Sequence, residues 1–163
     1  MLRIGNGFDV HRFSSEAQAD ARIILAGIEI PHTQTLEAHS DGDVLTHALC
    51  DALLGALALG DIGQHFPDTD PQFKNISSLL LLQHTYQLLV KQGWRLVNTD
   101  ITIIAEKPRM SDYHQQMRQS LADTLALSID QFSVKATTSE GLGFTGRGEG
   151  IAVQAVVLIE QGA

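Results

Sequence analysis

The first segment of this chain constrains its fold more than any other, because it combines a strand pattern with two residues that can bind a metal. Residues 2–13 have the apolar pattern of a long β-strand, and glycines at positions 5 and 7 leave part of one face without side chains. Since side chains alternate across a strand, Asp9 and His11 project from the same face. An Asp-x-His pair alone is more often a solvated strand edge, so its role depends on the rest of the chain.

A second segment supplies the third partner for such a metal site. The acidic turn Asp41-Gly42-Asp43 precedes a helical pattern that extends to about Leu59, and His47 lies just inside the start of that helix. One carboxylate and two imidazoles form a tetrahedral zinc set whose fourth position is open, which is typical of a catalytic metal. The pattern therefore predicts zinc bound by Asp9, His11 and His47.

The remaining chain alternates between strand and helix patterns without an internal repeat. Further strands are predicted over residues 22–30 with a turn at Gly27, and over residues 94–104, 132–138 and 151–160. Further helices are predicted over residues 76–92 and 108–127, with a loop over 60–75 and a glycine-rich turn over 140–150. This order predicts an α+β fold, a two-layer sandwich with helices on one face of a mixed sheet, in one domain over residues 1–163.

Composition excludes several classes of protein. The formal charge of −8 argues against a nucleic acid partner, because binding to a phosphate backbone needs a basic surface. No apolar run approaches the ~20 residues needed to span a bilayer, and Met1 leads directly into a strand without a signal or transit peptide. Cys50, the single cysteine, is expected to be a small core side chain. We therefore expect a cytoplasmic bacterial protein with no membrane partner.

Two segments near the C-terminus carry further chemistry. Residues 141–148 superficially resemble a phosphate-binding loop, but Arg147 replaces the lysine and a strand follows, so a turn between strands is predicted. Arg147 and Glu149 can form an ion pair there. Lys135 and Thr137 share a strand face and can converge on a phosphate oxygen, while Glu140 can hold magnesium. The alternative for these three residues is an exposed polar strand end.

Six motifs stand together in the order of one known family. They are Gly7-Phe8-Asp9-Val10-His11, residues 38–43 with His47, Asp61-Ile62-Gly63, residues 66–70, Lys135-Ala136-Thr137-Thr138, and residues 143–150. On these motifs the chain closely resembles the 2-C-methyl-D-erythritol 2,4-cyclodiphosphate synthases of the non-mevalonate isoprenoid pathway, over essentially its whole length. Several motifs in register are far more specific than any one of them.

The resemblance implies a phosphorus–oxygen lyase that converts 4-diphosphocytidyl-2-C-methyl-D-erythritol 2-phosphate to 2-C-methyl-D-erythritol 2,4-cyclodiphosphate and CMP. In that reaction the substrate's own 2-phosphate attacks the β-phosphorus, so no protein nucleophile is expected. The resemblance also implies a homotrimer with an active site at each subunit interface. Its metal sites are zinc at Asp9, His11 and His47, and a second divalent ion, Mg²⁺ or Mn²⁺, at Glu140.

The resemblance further implies which residues contact the substrate. Thr138 orients the diphosphate with support from Lys135 and Thr137. The other implied contacts are His39 and Ser40 at the 2-phosphate, Asp61, Ile62 and Gly63 at the methylerythritol hydroxyls, Phe66, Asp68 and Lys74 in a mobile loop over residues 64–75, and Ala105, Pro108 and Met110 in a cytosine pocket. Phe144, Arg147 and Glu149 match a site on the trimer axis that holds an isoprenoid diphosphate in some members.

Two other functions use the same residues. A zinc-dependent phosphohydrolase of a nucleoside diphosphate has the same metal ligands but needs a general base and releases a non-cyclic product. A non-catalytic trimeric module binds an isoprenoid diphosphate at the region of Arg147. Asp51, one helical turn after His47, is interpreted as a residue that supports the metal ligands or the packing of the helix.

Overall fold

A four-stranded mixed sheet is the framework of the computed structural model, which describes residues 1–38, 40–67 and 76–162. The strands are β1 (Leu2–Arg12), β2 (Arg22–Leu25), β3 (Ile28–Pro31), β4 (Trp94–Ile104), β5 (Phe132–Thr137) and β6 (Gly150–Gln161). The main sheet has the order β1-β6-β4-β5, and β2 with β3 forms a separate hairpin. β4 and β5 are parallel, whereas β6 is antiparallel to both of its neighbours. The predicted mixed sheet is confirmed, and the segment predicted over residues 22–30 with a turn at Gly27 forms the hairpin of β2 and β3.

The longer helices cover one face of this sheet. The helices are α1 (Val44–Ala56), α2 (Ile62–His65), α3 (Ser78–Lys91), α4 (His114–Leu125) and α5 (Gly143–Gly146). α1 packs on β1 and β6, α4 packs on β5, and α3 lies against α1 and β4. A single cluster of buried apolar side chains fills the space between these helices and the sheet. The predicted two-layer α+β arrangement with helices on one face is therefore confirmed.

Close contact between α1 and β1 depends on two glycines in the strand. A Cβ atom built on Gly5 would lie 1.8 Å from the carbonyl oxygen of Ala52, and one on Gly7 would lie 1.9 Å from that of Ala48. Both distances are far below van der Waals contact, so only glycine lets the helix backbone approach the strand this closely. The inward face of β1 continues from these glycines to Asp9 and His11, which brings both residues next to the start of α1.

The opposite face of the sheet exposes several apolar side chains on β1 and β6, which no helix covers among the described residues. Ile4 is 71% exposed, Phe8 56%, Val10 43% and Val156 39%. The register places Ile4 beside Leu158 and Phe8 beside Gln154, so the exposed apolar side chains cluster over β1 and β6 with polar ones between them. Several large apolar side chains exposed on one face are typical of a protein–protein interface.

Three predicted boundaries are wrong, each for a local reason. The predicted loop after Gly60 contains α2, because Asp61 accepts a hydrogen bond from Gln64 N and acts as an N-cap. The helix predicted from Pro108 begins only at His114, since the preceding turn, Met110–Asp112, is a 3₁₀-helix that buries Met110 in the core. The glycine-rich turn contains one helical turn, α5.

The single cysteine is a buried core residue. Cys50 lies in α1 with no exposed surface, and burial raises the pKa of its thiol to about 12. This agrees with a core side chain instead of a nucleophile. No helix in the described ranges is long and apolar enough to cross a bilayer.

Candidate active site

The start of α1 is held in place by a buried carboxylate. Asp43 is fully buried, and its Oδ1 accepts hydrogen bonds from Ala26 N and Thr46 N, at 2.9 and 3.0 Å. Its Oδ2 accepts from Gly27 N and from Thr46 Oγ1, each at 2.8 Å. Burial raises the pKa of Asp43 despite these four hydrogen bonds. Asp43 therefore caps α1 and ties it to the β2–β3 turn, which fixes the position of His47 in the first turn of the helix.

Three side chains from β1 and α1 converge in one cluster. Asp9 Oδ2 lies 3.0 Å from His11 Nε2 and 3.2 Å from His47 Nδ1. One ligand atom from each of the three residues lies within 4.8 Å of the others, and all three residues are partly buried. A carboxylate oxygen and two imidazole nitrogens are the donor set of catalytic zinc sites, with room for a fourth ligand. The donors thus fit a metal ion, as the sequence pattern predicted, and the assignment of zinc to this site stays a prediction.

The charges in this cluster favour a cation. Burial opposes ionisation of Asp9, but hydrogen bonds from His11 and His47 outweigh it and lower the pKa of Asp9 to about 2. Burial likewise opposes protonation of His47, but its hydrogen bond with Asp9, and the charges of Asp9, Asp43 and Asp41, raise the pKa of His47. An ionised Asp9 and a nearby excess of negative charge attract a divalent ion.

The second ring nitrogen of His47 faces two serines. His47 Nε2 lies 2.8 Å from Ser78 Oγ and 3.3 Å from Ser40 Oγ. Ser78, the first residue of α3, is fully buried and also donates its backbone N–H to Asp41 Oδ2 at 2.8 Å. Ser78 and Asp41 were not predicted as site residues. The Ser-Ser pair at the start of a helix is a visible capping signal, but its contact with residue 47 depends on the tertiary structure.

A cleft of about 440 Å³ opens beside the three-residue cluster. Four of the predicted substrate contacts line it together with the cluster, namely Ser40, Ile62, Gly63 and Phe66. Asp51 also lines the cleft, and its Oδ1 accepts a hydrogen bond from Ile62 N at 2.8 Å. Asp51 therefore anchors the first residue of α2 at the wall of the cleft. This contact between α1 and α2 agrees with the interpretation of Asp51 as a residue that supports the packing of the helix.

Asp61 itself does not line the cleft. Its carboxylate accepts from Gln64 N at 3.0 Å and from the Gln64 side chain, so it serves as the cap of α2. The predicted contacts His39, Asp68 and Lys74 lie outside the described residues.

The remaining predicted substrate contacts form a second group, at the end of β5. Ala105 N donates to Thr137 O at 3.0 Å, which joins the predicted cytosine pocket to this strand end. Thr138 Oγ1 donates to Glu140 Oε1 at 3.1 Å. Glu106, which was not predicted, accepts from Ser139 N and Gly141 N through its Oε1, at 3.2 and 3.3 Å. These bonds hold the turn that carries Glu140, whose φ of 55° lies in the left-handed region.

The side chains of Met110 and Lys135 make contacts within the chain itself. Met110 is 3% exposed, so only its backbone can face a ligand. Lys135 Nζ lies 2.5 Å from Asp100 Oδ2 on the outer face of the sheet. Thr137 lies on the same face and donates its hydroxyl to Thr138 O at 3.0 Å. The shared strand face is therefore present, but in this chain the ammonium of Lys135 pairs with a carboxylate.

The two groups lie at opposite edges of one sheet. The register aligns Val10 with Ala152, Ala152 with Ile104, and Ile104 with Thr137. Three strand spacings of about 4.8 Å separate β1 from β5, so the groups are roughly 14 Å apart at the same end of the sheet. One chain therefore presents two separate halves of the predicted site.

A comparison with known families decides the relationship. The profile of the YgbB family matches residues 2–160. The chain belongs to the YgbB family. It is 59% identical over 158 residues to the 2-C-methyl-D-erythritol 2,4-cyclodiphosphate synthase of Acinetobacter baumannii strain SDF, covering 97% of this chain and 96% of that protein. It is 58% identical over 160 residues to the synthase of the same name from Syntrophomonas wolfei, covering 98% and 99%.

Solved structures agree with this membership. The Plasmodium falciparum IspF in a CDP complex superposes with a TM-score of 0.86 at 30% identity, covering 99% of this chain and 97% of that chain. The bifunctional IspDF of Campylobacter jejuni gives a TM-score of 0.92 at 47% identity. The match covers 99% of this chain but 42% of the bifunctional one. The same fold therefore occurs both in a chain of similar length and as one part of a longer, bifunctional chain.

The three residues predicted for a site on the trimer axis lie on the surface. Phe144 is 39% exposed. Arg147 Nε lies 2.6 Å from Glu149 Oε1, which confirms the predicted ion pair. Phe144, Arg147 and Glu149 are close in sequence around α5 and are not among the residues that line the cleft.

Proposed function

We propose that this YgbB family protein is a 2-C-methyl-D-erythritol 2,4-cyclodiphosphate synthase, a phosphorus–oxygen lyase. It converts 4-diphosphocytidyl-2-C-methyl-D-erythritol 2-phosphate to 2-C-methyl-D-erythritol 2,4-cyclodiphosphate and CMP. The observation that carries this proposal is the Asp9–His11–His47 cluster beside an open cleft. It occurs in a chain 58–59% identical, over nearly full length, to proteins that carry this name.

The metal site assigned to zinc consists of Asp9, His11 and His47. A zinc ion bound there supplies Lewis acidity toward a phosphate oxygen. The chain's contribution is to hold an ionised carboxylate and two imidazoles in a fixed arrangement, with the cleft on the open side. The lowered pKa of Asp9 keeps this carboxylate charged at neutral pH.

The remaining residues of the cleft position the substrate. Ser40 is assigned to the 2-phosphate, while Ile62 and Gly63 are assigned to the methylerythritol moiety. Asp51 and Asp61 hold α2, and through it these wall residues, in place. Cyclisation by attack of the 2-phosphate on the β-phosphorus needs orientation of two groups of one molecule, for which positioning supplies most of the catalysis.

The second group binds the nucleotide part of the substrate. Thr138 is assigned to the diphosphate, with Lys135 and Thr137 beside it, and Glu140 is assigned to Mg²⁺ or Mn²⁺. Carboxylate and phosphate oxygens are the ligands that such hard ions prefer. The cytosine base is assigned to Ala105, Pro108 and the backbone of Met110. A CDP complex of the Plasmodium falciparum relative supports a cytidine diphosphate ligand.

A homotrimer brings the two groups together. They lie at opposite edges of the sheet in one chain, so a complete site forms where the β1 edge of one copy meets the β5 edge of another. The exposed apolar face with Ile4, Phe8 and Val10 supports association of copies through the sheet. The isoprenoid diphosphate site at Phe144, Arg147 and Glu149 stays a prediction, as do the single domain over residues 1–163 and the cytoplasmic location.

Phosphorus NMR of the purified protein with its substrate, zinc and magnesium tests the reaction. CMP with a cyclic diphosphate in equal amounts is the expected result. CMP with an open-chain bisphosphate would mean that water is the nucleophile, and the protein would be a phosphohydrolase. No turnover by a zinc-loaded trimer would favour the isoprenoid-diphosphate-binding module. Treatment with a chelator followed by zinc is the control, since it should abolish and then restore the signals.

A further inference from the structure

The two ring nitrogens of His47 have separate partners. Nδ1 faces Asp9 Oδ2 at 3.2 Å, inside the three-residue cluster, while Nε2 faces Ser78 Oγ at 2.8 Å. A neutral histidine that binds a metal offers one lone pair and carries its proton on the other nitrogen. When a metal ion is bound at the cluster, the lone pair therefore belongs to Nδ1, and the N–H belongs to Nε2.

The contacts of Ser78 determine the direction of the hydrogen bonds. Ser78 is fully buried, and its hydroxyl bonds to Asp41 Oδ1 while its backbone N–H donates to Asp41 Oδ2. An ionised carboxylate only accepts hydrogen bonds, so the hydroxyl proton of Ser78 points to Asp41. The oxygen of Ser78 then accepts from His47 Nε2–H. The result is one directed chain from His47 through Ser78 to Asp41.

Asp41 is itself held in place from a second side. Its Oδ1 accepts from Asp43 N at 3.2 Å, and Asp43 is the buried cap of α1. His11 differs from His47 in this respect, because its Nδ1 is buried without a hydrogen-bond partner among the described residues. Of the two histidines, only His47 therefore has a partner on its outer nitrogen in the described part of the chain.

We propose that Ser78 and Asp41 are positioning residues for the metal site, which hold His47 as its Nε2–H tautomer with Nδ1 directed at the metal. This inference rests on the proposed function, since it assumes that the cluster binds zinc. Groups that hydrogen-bond to a metal-ligating histidine typically change metal affinity about 10–100-fold when they are removed. Ser40 is the weaker partner of Nε2, because its oxygen lies farther away, at 3.3 Å.

The first test is the zinc affinity of Ser78→Ala, measured by competition with a chromophoric chelator. Ser78→Ala removes the hydroxyl but keeps the backbone N–H that anchors α3 to Asp41, so we expect zinc to bind at least about tenfold more weakly. The matched control is Ser77→Ala, which removes an exposed hydroxyl that makes no capping hydrogen bond and should leave the affinity unchanged. A zinc affinity of Ser78→Ala within twofold of the native protein would overturn the proposal.

A double-mutant cycle separates a directed chain from two independent effects. Asp41→Asn should also weaken zinc binding, because the amide no longer offers two acceptor oxygens to Ser78. The double variant should bind zinc little more weakly than whichever single variant has the lower zinc affinity, since both substitutions interrupt the same chain of hydrogen bonds. Fully additive losses of zinc-binding free energy would contradict a directed chain of hydrogen bonds. A merely structural role would lower the unfolding temperature of the metal-free variants without changing the zinc affinity.

A second measurement needs no substitution and decides the case if a variant fails to fold. Nitrogen-15 NMR of the zinc-loaded native protein should show the proton of His47 on Nε2. A proton on Nδ1 would overturn the proposal. If the native protein does not bind zinc at the cluster, the proposed function fails instead, so the two failures are distinguishable.

Discussion

At the scale of single residues, Asp9 shares one oxygen between two imidazoles. Its Oδ2 lies within 3.2 Å of both His11 Nε2 and His47 Nδ1. In the metal-free protein this interaction ties β1 to α1 electrostatically. The same geometry that suits a metal therefore also makes the metal-free fold sensitive to acid.

The first prediction concerns the stability of the metal-free protein at low pH. The pKa of Asp9 in the folded protein is about 2, below its ordinary value of 3.8. Its contribution to the free energy of unfolding is therefore present above pH 3.8 and is lost as the pH falls through the folded pKa. The loss should be up to about 2 kcal/mol. Urea unfolding of the chelator-treated protein between about pH 2 and pH 6 measures it.

The comparison of two variants isolates Asp9 in that experiment. Asp9→Asn should show a smaller loss of stability below about pH 4 than the native protein. Asp20→Asn, in an exposed loop, should follow the native profile. The raised pKa of His47 has the opposite effect on stability. Its contribution to the free energy of unfolding is present below pH 6.5 and disappears as the pH rises through the folded pKa of His47. An Asp9→Asn profile identical to the native one would contradict the assigned contact.

At the scale of elements, the packing of α1 on β1 determines the metal geometry. His47 belongs to the helix, whereas Asp9 and His11 belong to the strand, so their distances depend on how closely the two elements approach. Gly5 and Gly7 permit that approach, and Asp43 sets where the helix begins. A change in the strand can therefore weaken a metal site without touching a ligand.

The second prediction is that Gly7→Ala damages both stability and metal binding. Its Cβ would lie 1.9 Å from Ala48 O, so α1 must shift away from β1. We expect a loss of about 2–3 kcal/mol in the free energy of unfolding, as for overpacked cores. Zinc affinity should also fall, because His47 moves with α1. Calorimetry of the metal-free protein and chelator competition measure the two effects.

Gly55→Ala is the matched control for that substitution. Gly55 lies in α1 too, but its new Cβ would meet only Asn6 O at 3.8 Å, which is ordinary contact. Because alanine is a better helix former, Gly55→Ala should be neutral or stabilise the protein by up to about 1 kcal/mol. If both variants behaved alike, close approach at Gly7 would not be the reason.

At the scale of the whole molecule, the two groups lie at opposite sheet edges, and the proposed trimer would bring them together in one active site. The cleft adjoins β1, whereas Thr138 and Glu140 follow β5. The apolar outer face of the sheet supplies a surface through which copies can associate.

The third prediction is that Phe8→Glu prevents assembly. Phe8 is 56% exposed on the outer face of the edge strand β1, and a buried unpaired carboxylate there would disfavour association. Sedimentation velocity should show a trimer for the native protein and a monomer for Phe8→Glu. Val90→Glu, which changes an exposed apolar residue on α3, should stay trimeric. A native monomer would contradict the proposed assembly.

The fourth prediction tests whether each active site combines two chains. His47→Gln and Glu140→Gln are each expected to be inactive alone, because they remove different halves of the site. In co-expressed mixed trimers, random assembly should restore about a quarter of the native sites. Co-expression of His47→Gln with Asp9→Asn should restore none, since both changes affect the same half. Equal activity of the two mixtures would argue for a site within one chain.

The sequence predicted those features that depend on local periodicity. Alternation along β1 places Asp9 and His11 on one face, and the strand β4 was predicted with its observed bounds, Trp94–Ile104. The helix of His47 was predicted to follow the turn Asp41-Gly42-Asp43, and the structure shows that Asp43 is its cap. The short helix α2 and the late start of α4 were missed, because hydrogen bonds and burial specific to those places outweigh the general pattern.

The sequence by itself determined which residue types are available to bind a metal and on which side of each element they lie, because backbone geometry sets those periods. Only the tertiary structure decided that Ser78 and Asp41 hydrogen-bond in sequence behind His47, that Glu106 holds the turn that carries Glu140, and that the two groups lie at opposite sheet edges. Such contacts join residues far apart in the chain, and their formation depends on the packing of the whole fold instead of on local spacing.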